Sequence, residues 1–148
     1  MKASRERFLI VSVSESRFAF PLKEIAEVTE TFATYPIPLA PQEYVGVMNF
    51  HGAPVPVLDL DSLLHGCPPK ASGTVLVIDG RICSLAVRVD RIEKIAPGDI
   101  IESFPASDWQ SGRSAVIEQE KIPSPSLDRL VELLEDTLRR SGRQPRTP

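Results

Sequence analysis

Apolar residues in this chain fall into short runs, broken at close intervals by Gly, Pro or charged turns. Residues 8–13 form an apolar run broken only by Ser12, and residues 17–20 a second that opens on Arg17, with Ser14-Glu15-Ser16 between them, which predicts a hairpin. Pro21-Leu22-Lys23 then turns the chain into a segment where Ile25, Val28 and Phe32 stand among Glu24, Glu27 and Glu30. The next words, Tyr35-Pro36-Ile37-Pro38-Leu39-Ala40-Pro41, carry three prolines, which lack the N–H that a ladder needs. An extended connection is predicted there. Residues 45–50 and 55–60 flank His51-Gly52-Ala53-Pro54 and predict strand, turn and strand, with Gly46 marking a bulge or a close backbone approach. Asp59 then leads into a helical turn at Asp61-Ser62-Leu63-Leu64.

A polar break at residues 66–73 is followed by a restart of the pattern. Residues 74–78 predict a strand, Asp79-Gly80 a two-residue hairpin turn, and residues 82–89 the return strand. Along that return Cys83, Leu85, Val87 and Val89 share one face, and Ser84, Ala86 and Arg88 the other. Residues 91–95 continue extended until Pro97-Gly98 closes them, and residues 100–104 and 114–118 predict weaker strands around a polar loop carrying Trp109. The tail changes period. Leu127, Leu130, Val131, Leu134 and Leu138 follow one helical stripe, with Ser124 as N-cap, Pro125 at the first helical position and Gly142 as a stop. Residues 143–148 are expected to be disordered. The chain is therefore expected to be mostly β, with one helix at its end.

Size and charge narrow the function. One domain is expected from 148 residues, and a formal net charge of −3 gives no basic footprint for nucleic acid. No stretch approaches the ~20 apolar residues that cross a bilayer. Cys67 and Cys83 lack any metal or redox spacing, so two reduced thiols and a cytosolic setting are expected. Phosphate-binding loops are absent, because the eight glycines are scattered singly. An enzyme would have to use His51 with Asp59 or Asp61, since histidine beside carboxylates can do acid–base work. His51 next to Gly52 reads first as an exposed turn residue, and Asp61 as a cap. His51 and His65 show no metal-ligand spacing. Trp109 reads as packing or as an interface residue, and the tail stripe as docking on the chain's own strands. Composition and spacing alone end at a β-rich binding module without an active site, metal or cofactor.

Three words carry a resemblance. Gly46-Val47-Met48-Asn49-Phe50-His51-Gly52, followed by Pro56, Asp59 and Leu60, resembles the core of the CheW-like family of chemotaxis coupling proteins. Leu85 to Ile95, with Val89-Asp90 and Ile92 in place, and Leu22 to Val28 are similar to two further family words in the right order. The resemblance implies two pseudo-symmetric five-stranded SH3-like barrels. Combined with the pattern, that gives a single domain over residues 1–142, with barrel 1 near 8–66, barrel 2 near 73–122 and the helix at 125–141. It also implies a non-enzymatic, cytoplasmic adaptor, monomeric when isolated and without membrane insertion. Such an adaptor joins the cytoplasmic tips of methyl-accepting chemoreceptors to a CheA-type histidine kinase. Receptor-side positions carried over from the family are Ile25, Glu27, Asn49, His51, Val87 and Val89, with Arg88 and Trp109 as further interface candidates.

The chain departs from its family at places that matter. His51 replaces an arginine, whose planar fork can hold two acceptors at once. Arg88 stands where the family is usually apolar. Ile122-Pro123-Ser124-Pro125 puts two prolines where a last strand is expected, which predicts that strand to be missing or replaced. The alternatives are a diverged CheW-like module of a non-motility chemosensory pathway, or a small β-barrel enzyme using His51 and Asp59.

Overall fold

The computed structural model describes residues 6–70, 72–102, 113–125, 127, 130 and 131. Its strands are β1 (Glu6–Val13), β2 (Ser16–Pro21), β3 (Ile25–Thr29), β4 (Tyr44–Phe50), β5 (Ala53–Asp59), β6 (Thr74–Ile78), β7 (Ala86–Val89), β8 (Arg91–Glu102), β9 (Arg113–Ile117) and β10 (Glu120–Pro123). A 3-10 turn, Leu22–Glu24, precedes β3, and a short helix α1, Leu60–His65, follows β5. Two curled five-stranded sheets result, ordered β10-β9-β8-β1-β2 and β3-β6-β7-β5-β4.

The continuous apolar runs have a direct cause: both faces of these strands are buried. Phe8 and Ile10 of β1 turn into the first sheet with Ala96, Ala115, Ile117 and Ile122. Leu9, Val11 and Val13, from alternate positions, face the second sheet and meet Leu58, Leu76, Ile78, Val87 and Val89. Val75, Val77, Ala86, Val55 and Val57 fill the second sheet with Met48. Side chains alternate across a strand, so a strand shared by two cores is apolar at nearly every position, Ser12 being the exception between Phe8 and Val13.

Strand pairing corrects the sequential division into barrels near 8–66 and 73–122. The first sheet is built from both ends of the chain, and β6 and β7 lie beside β3 and β5 in the second. The restart after residue 73 is a hairpin returning to strands already made. Periodicity reveals that a strand exists, but not which edge it completes. Three local differences also have physical reasons. The β6–β7 turn is wider than Asp79-Gly80: Ile78 N donates to Leu85 O (3.0 Å), and Ile82 N and Cys83 N both donate to Asp79 O, so β7 starts only at Ala86. Strand β8 runs straight through Pro97-Gly98. Its first part pairs with β1 as far as Gly98 and its second with β9 from Asp99, so Pro97 never needs a second partner. Finally, β10 is present, pairing with β9 at the sheet edge and ending at Pro123.

Leu127, Leu130 and Val131 are helical, and Leu127 and Leu130 are buried in the core between the sheets. Pro125, expected at the first helical position, is described and is not helical; the remaining residues of the expected helix over 125–141, the tail 143–148 and Trp109 lie outside the described residues.

Candidate partner-binding surface

The β4–β5 hairpin is closed by His51 and Gly52, whose φ values of 51° and 85° are the left-handed pair of a type I′ turn. Asn49 holds that turn: its Oδ1 accepts from Gly52 N at 2.8 Å. His51 is exposed and its ring meets Phe50 edge-on, 4.3 Å between centroids. At the other side of the sheet β3 presents Glu27, also exposed. Strands β3 and β4 are the two outermost strands of their sheet, and its curl brings them around one depression of about 290 Å³. Glu27, Thr29, Phe32, Asn49, Phe50 and His51 are among the residues that line it. The floor between the two edges is the segment after β3. Tyr35 N donates to Val47 O and Val47 N to Tyr35 O, both at 2.8 Å, stitching that segment to β4. Gly46 makes this possible, since a Cβ there would lie 2.5 Å from Tyr35 O. Tyr35 stays 67% exposed and borders an adjoining apolar hollow with Val47, Met48 and Pro54.

Three of the expected receptor-side residues, Glu27, Asn49 and His51, thus share one concave surface. Ile25 does not join them; it is half-buried against the core between the sheets. Val87 and Val89 are corrected. Both are fully buried in that core, and neither offers a surface to a partner. Strands β5 and β6 cover the edges of their strand, and a core lies on each face, so all four of its residues are buried. Phe32 and Tyr35 were missed, because their segment reads as a mere connection. The available signal was two aromatic residues in a stretch with no strand to bury them.

Arg88 is also corrected as an interface candidate. It is 3% exposed and sits directly opposite Asp59, which is fully buried, on the parallel strands β5 and β7. Arg88 Nη1 donates to Asp59 Oδ1 at 2.9 Å, Nη2 to Asp90 Oδ1 at 2.7 Å, and Nε to Ser72 O. Asp59 also accepts from Asp61 N (3.1 Å), capping α1, and from Lys70 N (2.7 Å). The two aspartates of the sequence words, Asp59 and Asp90, are therefore joined internally by one guanidinium. Each of the three guanidinium nitrogens of Arg88 donates to an oxygen, two of them on carboxylates, which compensates the burial of its charge.

A second polar cluster adjoins this network. Asp61, 2% exposed, accepts from Lys70 Nζ (2.7 Å), His65 Nδ1 (2.6 Å) and Ser14 Oγ (3.0 Å). The Lys70 ammonium above all, with His65 and Ser14, holds the Asp61 carboxyl well below the usual carboxylate range despite its burial. Burial and the neighbouring Asp61 push the Cys67 thiol up, away from the reactive thiolate. Ser14 N donates to Asp90 Oδ2 at 2.6 Å, so the β1–β2 turn of one sheet is tied to the end of the other. The pairing of His51 with Asp59 as acid and base is corrected as well. One precedes and the other ends the seven-residue β5, roughly 20 Å apart at ~3.3 Å per residue.

Comparison with known proteins agrees with this architecture. A family model described as CheW-like domain matches residues 7–132. Among solved structures the chain is similar to the scaffolding protein TtCheW from Thermoanaerobacter tengcongensis. The two share 19% identity and a TM-score of 0.69, over 82% of this chain and 89% of that one. At that identity the likeness speaks for the fold. No curated relative matches the chain.

Proposed function

The chain belongs to the CheW-like domain family, and on that premise we propose that it is a non-catalytic, cytoplasmic adaptor coupling chemoreceptor tips to a CheA-type histidine kinase. The observation that carries the receptor half of this reading is the depression shared by Glu27, Asn49 and His51, drawn from opposite edges of one curled sheet. Its chemistry suits a polar protein surface carrying a cation. Glu27 offers a carboxylate to a cation, the exposed rings of Tyr35 and His51 offer flat contact area, and Phe32 and Phe50 exclude water beneath them. No described side chain in this surface is arranged as a nucleophile with its base, and the work required is geometric. Holding receptor and kinase at fixed distance lets a small receptor motion bias a two-state kinase.

The test is binding of the full chain to a receptor-tip fragment and to the kinase's regulatory domain, each alone and both together. Glu27→Arg and Tyr35→Ala change exposed side chains, so both proteins should melt as the wild type does while receptor affinity falls about 5- to 30-fold, as for a moderate hot spot. Formation of the ternary complex with the wild type, and its loss with both variants, supports the reading. Wild-type affinity in both variants would move the receptor site elsewhere.

A further inference from the structure

Six residues that the adaptor reading leaves without a role form a closed hydrogen-bonded ring where the two sheets meet. Asp59 Oδ1 accepts from Arg88 Nη1 (2.9 Å), and Asp59 Oδ2 from Lys70 N (2.7 Å). Lys70 Nζ donates to Asp61 Oδ2 (2.7 Å), and Asp61 Oδ1 accepts from Ser14 Oγ (3.0 Å). Ser14 N donates to Asp90 Oδ2 (2.6 Å), and Asp90 Oδ1 accepts from Arg88 Nη2 (2.7 Å), which closes the circuit. Three aspartates thus alternate with three donor residues, and each aspartate turns one oxygen to each neighbour. A hydrogen bond in such a chain polarises the next, so the loss of one link weakens the others.

Four members of the ring lie on the side of the second sheet, in β5, α1, the segment after α1 and β7. Asp90 is the corner where the chain passes from β7 to β8, and its N donates to Ser12 O at 3.0 Å. Ser14 comes from the first sheet, in the β1–β2 turn. Of the two central residues of that turn only the first, Ser14, has a positive φ, 53°. A type II′ turn gives this position to glycine, and serine is strained there by its Cβ. What serine has and glycine lacks is the hydroxyl that meets Asp61.

We propose that the ring is a cooperative lock that fixes the angle between the two sheets, closed across their seam by the Ser14 hydroxyl. The apolar core between the sheets is non-directional, so it sets their separation more firmly than their angle, and packed elements move by shear. Hydrogen bonds are directional. The corner at Asp90 alone is a pivot, and the neighbouring attachment of Ser14 to Asp61 stops rotation about it. At the other end of the β1–β2 hairpin the contact that joins the sheets, Arg113 Nη2 to Glu24 Oε1, is longer at 3.4 Å. Among the three donor residues Ser14 is the neutral one, so its links are the weakest and the ring opens there first. A stiff joint suits a scaffold, but the lock stands apart from the adaptor reading.

Proton exchange and residual dipolar couplings of the full chain test this without a partner, so they read the lock even if no receptor tip binds. In Ser14→Gly, exchange at Lys70 N and Arg88 Nε, neither of which touches Ser14, should quicken about 5-fold or more. Ser14→Ala, which lacks the hydroxyl but keeps the positive φ, should show the same. Both variants should stay folded, with a Tm within about 4 °C of wild type. One alignment tensor should fit both sheets of the wild type and fail to fit both in the variants. Unchanged exchange at both sites in Ser14→Gly overturns the ring as a unit. A single tensor that still fits both sheets of both variants overturns its hold on their angle. Faster exchange in Ser14→Ala alone would trace the effect to backbone strain and overturn the role of the hydroxyl.

Discussion

Arg88→Met is the perturbation that separates a structural guanidinium from an interface residue. Methionine fills much of the volume but takes one hydrogen bond each from Asp59, Asp90 and Ser72 O. The damage concentrates on Asp59, which is fully buried, whereas Asp90 is only half-buried and keeps Ser14 N. Removing one member of a buried ion pair generally costs ~3–5 kcal/mol, because the other charge is left uncompensated. Asp59 retains Asp61 N and Lys70 N as donors, which places the expected loss near the lower end, about 3 kcal/mol. For a chain of this size that is roughly a 10 °C fall in Tm. Urea unfolding at pH 7 reads it directly. Asp59→Asn removes the opposite charge, so the double variant should be about 1.5–2 kcal/mol more stable than the two single losses summed. Receptor binding, measured at a temperature where every variant is folded, should stay within about twofold of wild type, a shift of ~0.4 kcal/mol. A loss under about 1 kcal/mol, or strict additivity in the cycle, would refute the buried pair as the organising interaction. A large loss of affinity in the folded variant would return Arg88 to the surface.

Other consequences follow from single contacts. Leu130→Ala truncates a fully buried side chain in the core between the sheets and should cost about 2–4 kcal/mol by urea unfolding; a near-zero effect would mean that the helical end is not docked. Gly46→Ala puts a Cβ 2.5 Å from Tyr35 O and should cost about 1–3 kcal/mol while loosening receptor binding through Tyr35, which calorimetric titration would detect. The Asp61 carboxyl is depressed in the folded state, so its stabilisation is complete above the unfolded value of ~3.9 and is lost as pH falls below it towards the folded value. Urea midpoints for the wild type should therefore drop between pH 5 and pH 3, and Lys70→Met should flatten that limb. An identical acid limb in Lys70→Met would show that the ammonium does not hold the carboxylate.

Much of the fold is legible in the sequence because burial on both strand faces leaves an unmistakable mark. The runs around Phe8 to Val13 and Thr74 to Ile78 are apolar at nearly every position, and the structure accounts for this by the core on either side. Pairing is less legible, since no local signal says that β1 will meet β8 across most of the chain. Turn chemistry explains why the last hairpin was obscure. Glu118 and Gln119 both have positive φ and close β9 onto β10 as a two-residue turn, but neither is the Gly or Asn that advertises one. His51-Gly52 is the readable counterpart, with glycine in the second of its two left-handed positions.

The candidate surface divides along the same line. Residues whose role is local, such as Asn49 holding its own turn, can be placed from sequence spacing. Val87 and Val89 cannot, because alternation says only that they share a face and not whether that face meets solvent or another sheet. Arg88 is the instructive case. A cation in an apolar strand reads as a surface departure until Asp59 is known to stand opposite it on a parallel neighbour. Parallel neighbours are joined by long connections, here one running from α1 through β6, so the pair is 29 residues apart and invisible to any local pattern. The charge that looked free for a partner is consumed in fixing where β5 ends, and a partner docking near His51, as proposed, would meet only the groups that the β3 and β4 edges themselves provide.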